Sequence, residues 1–164
     1  RDFLLIYKTY IRPHLEYCIQ AWSPYLEKDM DMLERVQRSA TRLLSGFAKY
    51  SYEDRLRRLG ITTLRKRRER GDLIEAYKII SGKEKIDKTQ FFHPAKSGYN
   101  LRGHSLKIKK ERSRLDTRKY SFSQRVVNSW NQLPQKVVDA QSINQFKNLL
   151  DKHWQDMDPT GYTA

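Results

Sequence analysis

Two runs of cations hold the side chains best placed to do chemistry in this 164-residue chain. Arg65, Lys66, Arg67, Arg68 and Arg70 put five bases into six residues, and Lys107, Lys109, Lys110, Arg112, Arg114, Arg118 and Lys119 form a second run. Guanidinium and ammonium groups attract anions, phosphates above all, through charge-assisted hydrogen bonds. Crowded like charges also repel, so they need an anionic partner or bulk water. In the first run, Glu69, Asp72 and Glu75 stand within reach. From these residues alone, a solvated salt-bridged helix face and a polyanion-binding face are both open. The distribution of charge favours the second. From Ile61 to Arg125, 19 Lys or Arg face 7 Asp or Glu; residues 1–60 carry 11 against 8, and residues 126–164 carry 3 against 4. A surplus serving solubility has no reason to concentrate in the middle of a chain of net charge +14. Nucleic acid is the expected partner.

Other chemistries lack their residues. Nucleotidyl transfer needs clustered carboxylates to hold divalent metal. Here the tightest acidic pair, Asp29 and Asp31, fits the start of a helix, where the dipole favours negative charge, and no Tyr/Phe-x-Asp-Asp motif occurs. His14 and Cys18 stand one helical turn apart, but no second pair completes a zinc site, and His93 and His104 are isolated. No phosphate-binding glycine loop or nucleophile elbow is present. The reading predicts no catalytic residue, no metal site and no cofactor in this chain. The single cysteine forbids an internal disulfide and fits a reducing compartment. The longest apolar run, Phe3 to Tyr7, is too short to span a bilayer, and no lipidation motif occurs, so no membrane partner is expected.

The elements that must position the cations are helical by periodicity. Leu4, Tyr7, Ile11, Leu15, Cys18, Ile19 and Trp22 form a stripe broken by Pro13, which predicts a kinked helix or two helices meeting at Arg12-Pro13, ended by Ser23-Pro24. Glu27 to Ser45 predicts a helix burying Met30, Leu33, Val36, Ala40, Leu43 and Leu44, with acid-first pairs Asp31–Arg35 and Glu34–Arg38 and Gly46 as its stop. Ser51 to Leu59 is a short helix closed by Gly60. Ile61 to Ser81 is the central helix, capped by Thr62 or Thr63, cationic in front and apolar behind at Leu73, Ile74, Tyr77 and Ile80. Gly82 opens a polar linker. From Phe91 to Tyr120, punctuated by Pro94, Gly98, Asn100 and Gly103, the helical period is lost. Leu106 to Lys109 alternates like a strand, with Asp116 to Tyr120 as its expected partner. Two helices follow, each opened by a capping box: Ser121-x-x-Gln124, burying Phe122, Val126, Trp130 and Leu133, and Ser142-x-x-Gln145, burying Ile143, Phe146, Leu149, Leu150 and Trp154. Trp22, Trp130 and Trp154 read as core. Aromatic–base neighbours (Tyr50 and Tyr52 with Arg55, Tyr99 with Arg102, Tyr120 with Lys119) offer stacking surfaces, although packing is the commoner role of such rings. Cys18 reads as core packing and His14 as a polar contact.

These residues also resemble a known family. Tyr7-Lys8-Thr9-x-x-Arg12-Pro13-x-Leu15-Glu16-Tyr17-Cys18, followed by Gln20-Ala21-Trp22-Ser23-Pro24, is similar to the segment after the polymerase palm in reverse transcriptases of non-LTR, LINE-type (jockey-like) retrotransposons. Leu33-Glu34-x-Val36-Gln37-Arg38-x-Ala40-Thr41-Arg42, Leu64-x-x-Arg67-Arg68-x-Arg70-Gly71-Asp72-Leu73 and Phe122-x-x-Arg125-Val126-Val127-Asn128-x-Trp130-Asn131-x-Leu133-Pro134 continue the likeness in order, from about Leu4 to Trp154. The resemblance implies a piece of a longer polypeptide, as does a first residue that is Arg rather than Met. It implies a helical thumb and a basic C-terminal extension that hold primer–template, RNA and DNA, for target-primed reverse transcription. Fingers, palm and metal-binding aspartates would lie elsewhere in the parent, an RNA-directed DNA polymerase whose palm would take Mg²⁺. It further implies an intracellular ribonucleoprotein, nuclear and cytoplasmic. A stand-alone element-derived binding protein and a basic protein-interaction module are the alternatives.

The expected fold is therefore mainly α: residues 1–82 a thumb-like helical bundle, 83–154 a basic extension of loop, β-ribbon and two helices, and 155–164 a flexible tail. The twelve cations named at the outset are the expected nucleic-acid contacts.

Overall fold

The computed structural model describes residues 2–95 and 103–157. Gly98, Asn100, the Tyr99–Arg102 pair and residues 158–164 of the expected tail lie outside the described residues. The chain is mainly helical, with nine α-helices among the described residues: α1 (Asp2–Ile6), α2 (Arg12–Glu16), α3 (Glu27–Arg42), α4 (Tyr52–Leu59), α5 (Leu64–Ile80), α6 (Asp116–Lys119), α7 (Phe122–Asn131), α8 (Gln135–Val138) and α9 (Ile143–Met157). Two compact units divide them. One runs up to Glu69 and the other is Arg70–Met157, so the division falls within α5, not at Gly82 where the sequence suggested it.

In the first unit, α1 and α2 are joined without a break by a π-helical turn, Tyr7–Ile11, in which the Arg12 N–H bonds back five residues to the Tyr7 carbonyl. The cause is Pro13, at the second position of α2. It lacks an N–H, and its ring crowds the carbonyl four residues earlier, so a wider turn ahead of it absorbs both defects. The helix stops at Glu16, short of Trp22. Cys18 sits in the left-handed region (φ 51°) and is exposed, so it packs no core. Trp22 is 41% exposed, also against expectation.

The buried face of α3 differs from the expected apolar stripe. Glu34, Gln37, Ala40 and Thr41 are buried, whereas Val36 and Leu43 are exposed. Polar residues win the interior because each finds a partner there. Gln37 Oε1 accepts from the Tyr7 hydroxyl at 2.7 Å. Its Nε2 donates to the Thr62 carbonyl at 3.0 Å and to Tyr52 Oη at 2.8 Å. The Tyr52 hydroxyl in turn donates to Glu34. Burial, reinforced by that bond, raises the Tyr52 pKa and keeps the ring neutral. Glu34 also accepts from the Leu64 N–H at 3.0 Å, placing a carboxylate at the positive end of α5. Thr63 caps the same helix by accepting from the Lys66 N–H at 3.2 Å. Neither acid-first pair forms: Glu34 has turned inward, and no ion pair of Asp31 is present among the described residues.

The second unit is built on apolar packing. Leu73, Ala76, Tyr77 and Ile79 of α5 meet Val126, Val127 and Trp130 of α7, Val137 and Val138 of α8, and Phe146 and Leu150 of α9; Ile74 and Ile80 pack partly buried at the edge. The Tyr77 and Phe146 rings stack with centroids 4.3 Å apart. Asp72 and Arg125 form a two-point ion pair in its interior, at 2.7 and 2.9 Å.

No ribbon forms between Leu106–Lys109 and Asp116–Tyr120. The latter is the short helix α6, and an isolated antiparallel bridge joins Ile108 to Pro94 instead, with Ala95 N–H to Lys107 O at 2.9 Å and Lys109 N–H to His93 O at 2.8 Å. Ser121 makes no side-chain cap; its hydroxyl donates to the Arg118 carbonyl, and Gln124 is drawn elsewhere. The second box forms one residue out of step. Ser142 accepts from the Gln145 N–H at 3.1 Å, while Gln145 reaches the N–H of Gln141. Residues 155–157, assigned to the tail by sequence, continue α9.

Candidate nucleic-acid interface

Five cations in six helical residues cannot share a face. Successive residues turn by about 100°, so Arg65, Lys66, Arg67, Arg68 and Arg70 point all round α5. Most of them are held by the chain itself. Arg65 pairs with Glu27. Arg67 grips Glu16 at two points, one of them Nη2–Oε2 at 2.9 Å. Arg68 is 2% exposed, donates to the Leu15 carbonyl and lies with its guanidinium 4.5 Å from the centre of the Trp22 ring. Arg70 holds Asp151 at 2.7 and 2.8 Å. Lys66 is half-buried. Arg65 also lines a cleft of about 280 Å³ in the first unit, whose other walls include Glu27, Asp31 and Glu53. That mixed rim does not suit a polyanion.

The second run is different. Lys109, Lys110, Arg112 and Arg114 are exposed, and among the described residues none of the four side chains makes an ion pair or hydrogen bond. Arg118 is exposed and bonds Glu111 at 3.1 Å; Lys119 lies 5.1 Å from the centre of the Tyr120 ring. Lys107 is half-buried and folds over Gly103, whose φ of 116° and missing Cβ leave room for it: a Cβ there would stand 2.9 Å from the Lys107 chain. Glu111, the one acid between Lys107 and Arg114, is occupied by His93 at 3.5 Å and by Arg118.

Among the described residues, the segment carrying these cations has almost no ladder of its own. Side chains from α7 and α8 supply its backbone bonds. Asn131 accepts from the Ile108 N–H at 3.0 Å and donates to the Ile108 carbonyl at 2.8 Å. Trp130 Nε1 donates to Leu106 O at 2.8 Å, Gln124 accepts from Glu111 N–H at 3.0 Å, and Gln135 accepts from Ser105 N–H at 2.9 Å. His104 is buried and bonds the Trp130 carbonyl through Nε2 at 2.9 Å. A carbonyl only accepts, so Nε2 carries the proton and the buried Nδ1 is left with no partner. Burial accordingly lowers the His104 pKa. The backbone of the segment is thus fastened inward while its charged side chains face out. None of the clamp residues was singled out as functional from sequence. The available signal was amide side chains, Gln124 and Asn131, set among the apolar positions of a buried helix.

Among the described residues no group of three or more His, Cys, Asp or Glu is placed to hold a metal ion, and no helix is long and apolar enough to cross a membrane. No family model, curated protein or solved structure matches the chain.

Proposed function

We propose that this chain grips nucleic acid by its phosphates, as the C-terminal portion of a retrotransposon reverse transcriptase that positions primer–template for a palm elsewhere in the parent. The observation that carries this reading is the group Lys109, Lys110, Arg112 and Arg114: four exposed cations in six residues, without partners among the described residues, on a backbone clamped by its neighbours. Phosphate contacts give affinity and register without reading sequence. In this reading α5 is the scaffold and the second run makes the contacts, with Arg118 and Lys119 at its border. The chain contributes grip, and catalysis with its metal belongs to the palm.

Salt titration of binding to a primer–template duplex tests the proposal. Log affinity is expected to fall linearly with log salt, each neutralised phosphate adding ~0.7–0.9 to the slope. Replacing Lys109, Lys110, Arg112 and Arg114 together by Ala should remove most of that slope. Affinity that hardly changes with salt would overturn the reading and point to a protein partner.

A further inference from the structure

From Lys110 to Arg114 exposure alternates. Lys110, Arg112 and Arg114 are exposed, and Glu111 and Ser113 between them are half-buried. Glu111 is held inward by its N–H bond to Gln124 and by its carboxylate contacts with His93 and Arg118. The Ser113 hydroxyl is buried. A period of two is the mark of an extended chain, in which residues two apart stand ~6.6 Å from each other. That interval is comparable to the spacing of successive phosphates along one nucleic-acid strand. An extended chain usually keeps its register by pairing with a neighbouring strand. Among the described residues this one has a single bridge, to Pro94, and on its other edge the helix α7 stands where a neighbouring strand would: Asn131 meets both the N–H and the carbonyl of Ile108, as a paired strand would, and Gln124 meets the N–H of Glu111.

We infer that Lys110, Arg112 and Arg114 form a register-set row that follows three successive phosphates of a single strand, and that Asn131 is the positioning residue that sets it. The inference rests on the phosphate-gripping function proposed above and narrows its ligand to one strand's backbone, bound without regard to base. Asn131 touches no ligand in this scheme. It acts by holding Ile108, so that the three cations present themselves together rather than singly.

The test uses an oligothymidylate of about 12 nucleotides, long enough for a small site and free of base pairing. The wild-type chain should bind it with a log–log salt slope of ~2, three phosphates at ~0.7 each. Replacing Lys110, Arg112 and Arg114 together by Ala should abolish that slope without lowering the melting temperature. Asn131→Ala removes no charge, yet should lower the slope by ~0.7 or more, the equivalent of at least one phosphate, while amide exchange at Ile108 accelerates. Should Asn131→Ala fail to fold, Gln124→Ala, which removes the acceptor of the Glu111 N–H alone, carries the same expectation. A clamp variant with faster exchange in the segment and an unchanged slope would overturn the positioning role. A triple variant that keeps the slope would overturn the row. A wild-type chain that binds primer–template with salt dependence but ignores the single strand would overturn the narrowing alone, whereas no salt-dependent binding to either would sink the phosphate reading beneath it.

Discussion

Among the described residues, those up to Glu69 bury six hydrophobic side chains, whereas those of Arg70–Met157 bury sixteen. The first unit also carries ten of the fourteen exposed large hydrophobics among the described residues, including Tyr10, Tyr17, Trp22 and Leu43. Its interior is a hydrogen-bonded web of Tyr7, Glu34, Gln37 and Tyr52, while the interior of the second is Trp130, Phe146, Tyr77 and their aliphatic neighbours. Apolar burial is non-directional and supplies the bulk of stability. A satisfied polar web contributes less net free energy but tolerates only one geometry. The same contrast separates the cations. Those of α5 are mostly spent on fixing structure, and those of Lys109–Arg114 are exposed without a partner among the described residues. A count of basic residues therefore says little about binding until their internal partners are known.

The contrast can be broken from either side. Trp130→Ala should cost the second unit ~3–5 kcal/mol, since the ring is fully buried and also donates to Leu106; thermal unfolding measures it, and a loss under 1 kcal/mol would deny the apolar core its role. Gln37→Met keeps volume and adds apolar surface, yet should destabilise the first unit by ~1–3 kcal/mol because the Tyr7 hydroxyl loses its acceptor. A neutral or stabilising result would mean that this interior is apolar in all but composition. Acid should weaken the second unit through His104. Its folded pKa is lowered, so its neutral form is the one the fold holds. The contribution is complete above the ordinary imidazole pKa of ~6.5 and is lost as the pH drops from there through the folded value. Melting curves from pH 7.5 down to 5 should show the loss, and His104→Gln should flatten it. The smallest effect on stability sharpens the comparison of cations. Arg112→Ala with Arg114→Ala should leave the melting temperature within error and lower the single-strand salt slope by ~1.4, whereas Arg67→Ala with Arg70→Ala should cost up to ~1 kcal/mol per pair and leave that slope in place.

Periodicity revealed the helices whose buried faces are apolar. Phe122, Val126, Trp130 and Leu133 are all buried as their spacing requires, and Leu73 and Tyr77 mark the rear of α5. It failed where polar side chains carry the interior, because the pattern of Glu34, Gln37 and Thr41 is visible only once Tyr7, Tyr52 and Leu64 are known to face it. The extended segment was recognised by alternation at Leu106–Lys109, but its partner was not. Nothing in the string reveals that Asn131 substitutes for a strand. The cations were found by type, and the pairs that occupy Arg67 and Arg70 span 51 and 81 residues, beyond the reach of local reading.

The π-helical turn at Tyr7–Ile11 also sets the angular phase of everything after it. Tyr7 and Glu16 are nine residues apart, and in an unbroken α-helix they would point in opposite directions, about 180° round the axis. The wide turn takes up one residue, so they behave as if eight apart and diverge by only about 80°. One helical segment can therefore deliver Tyr7 to Gln37 and Glu16 to Arg67. The proline that ought to spoil the helix is what keeps its two ends in phase.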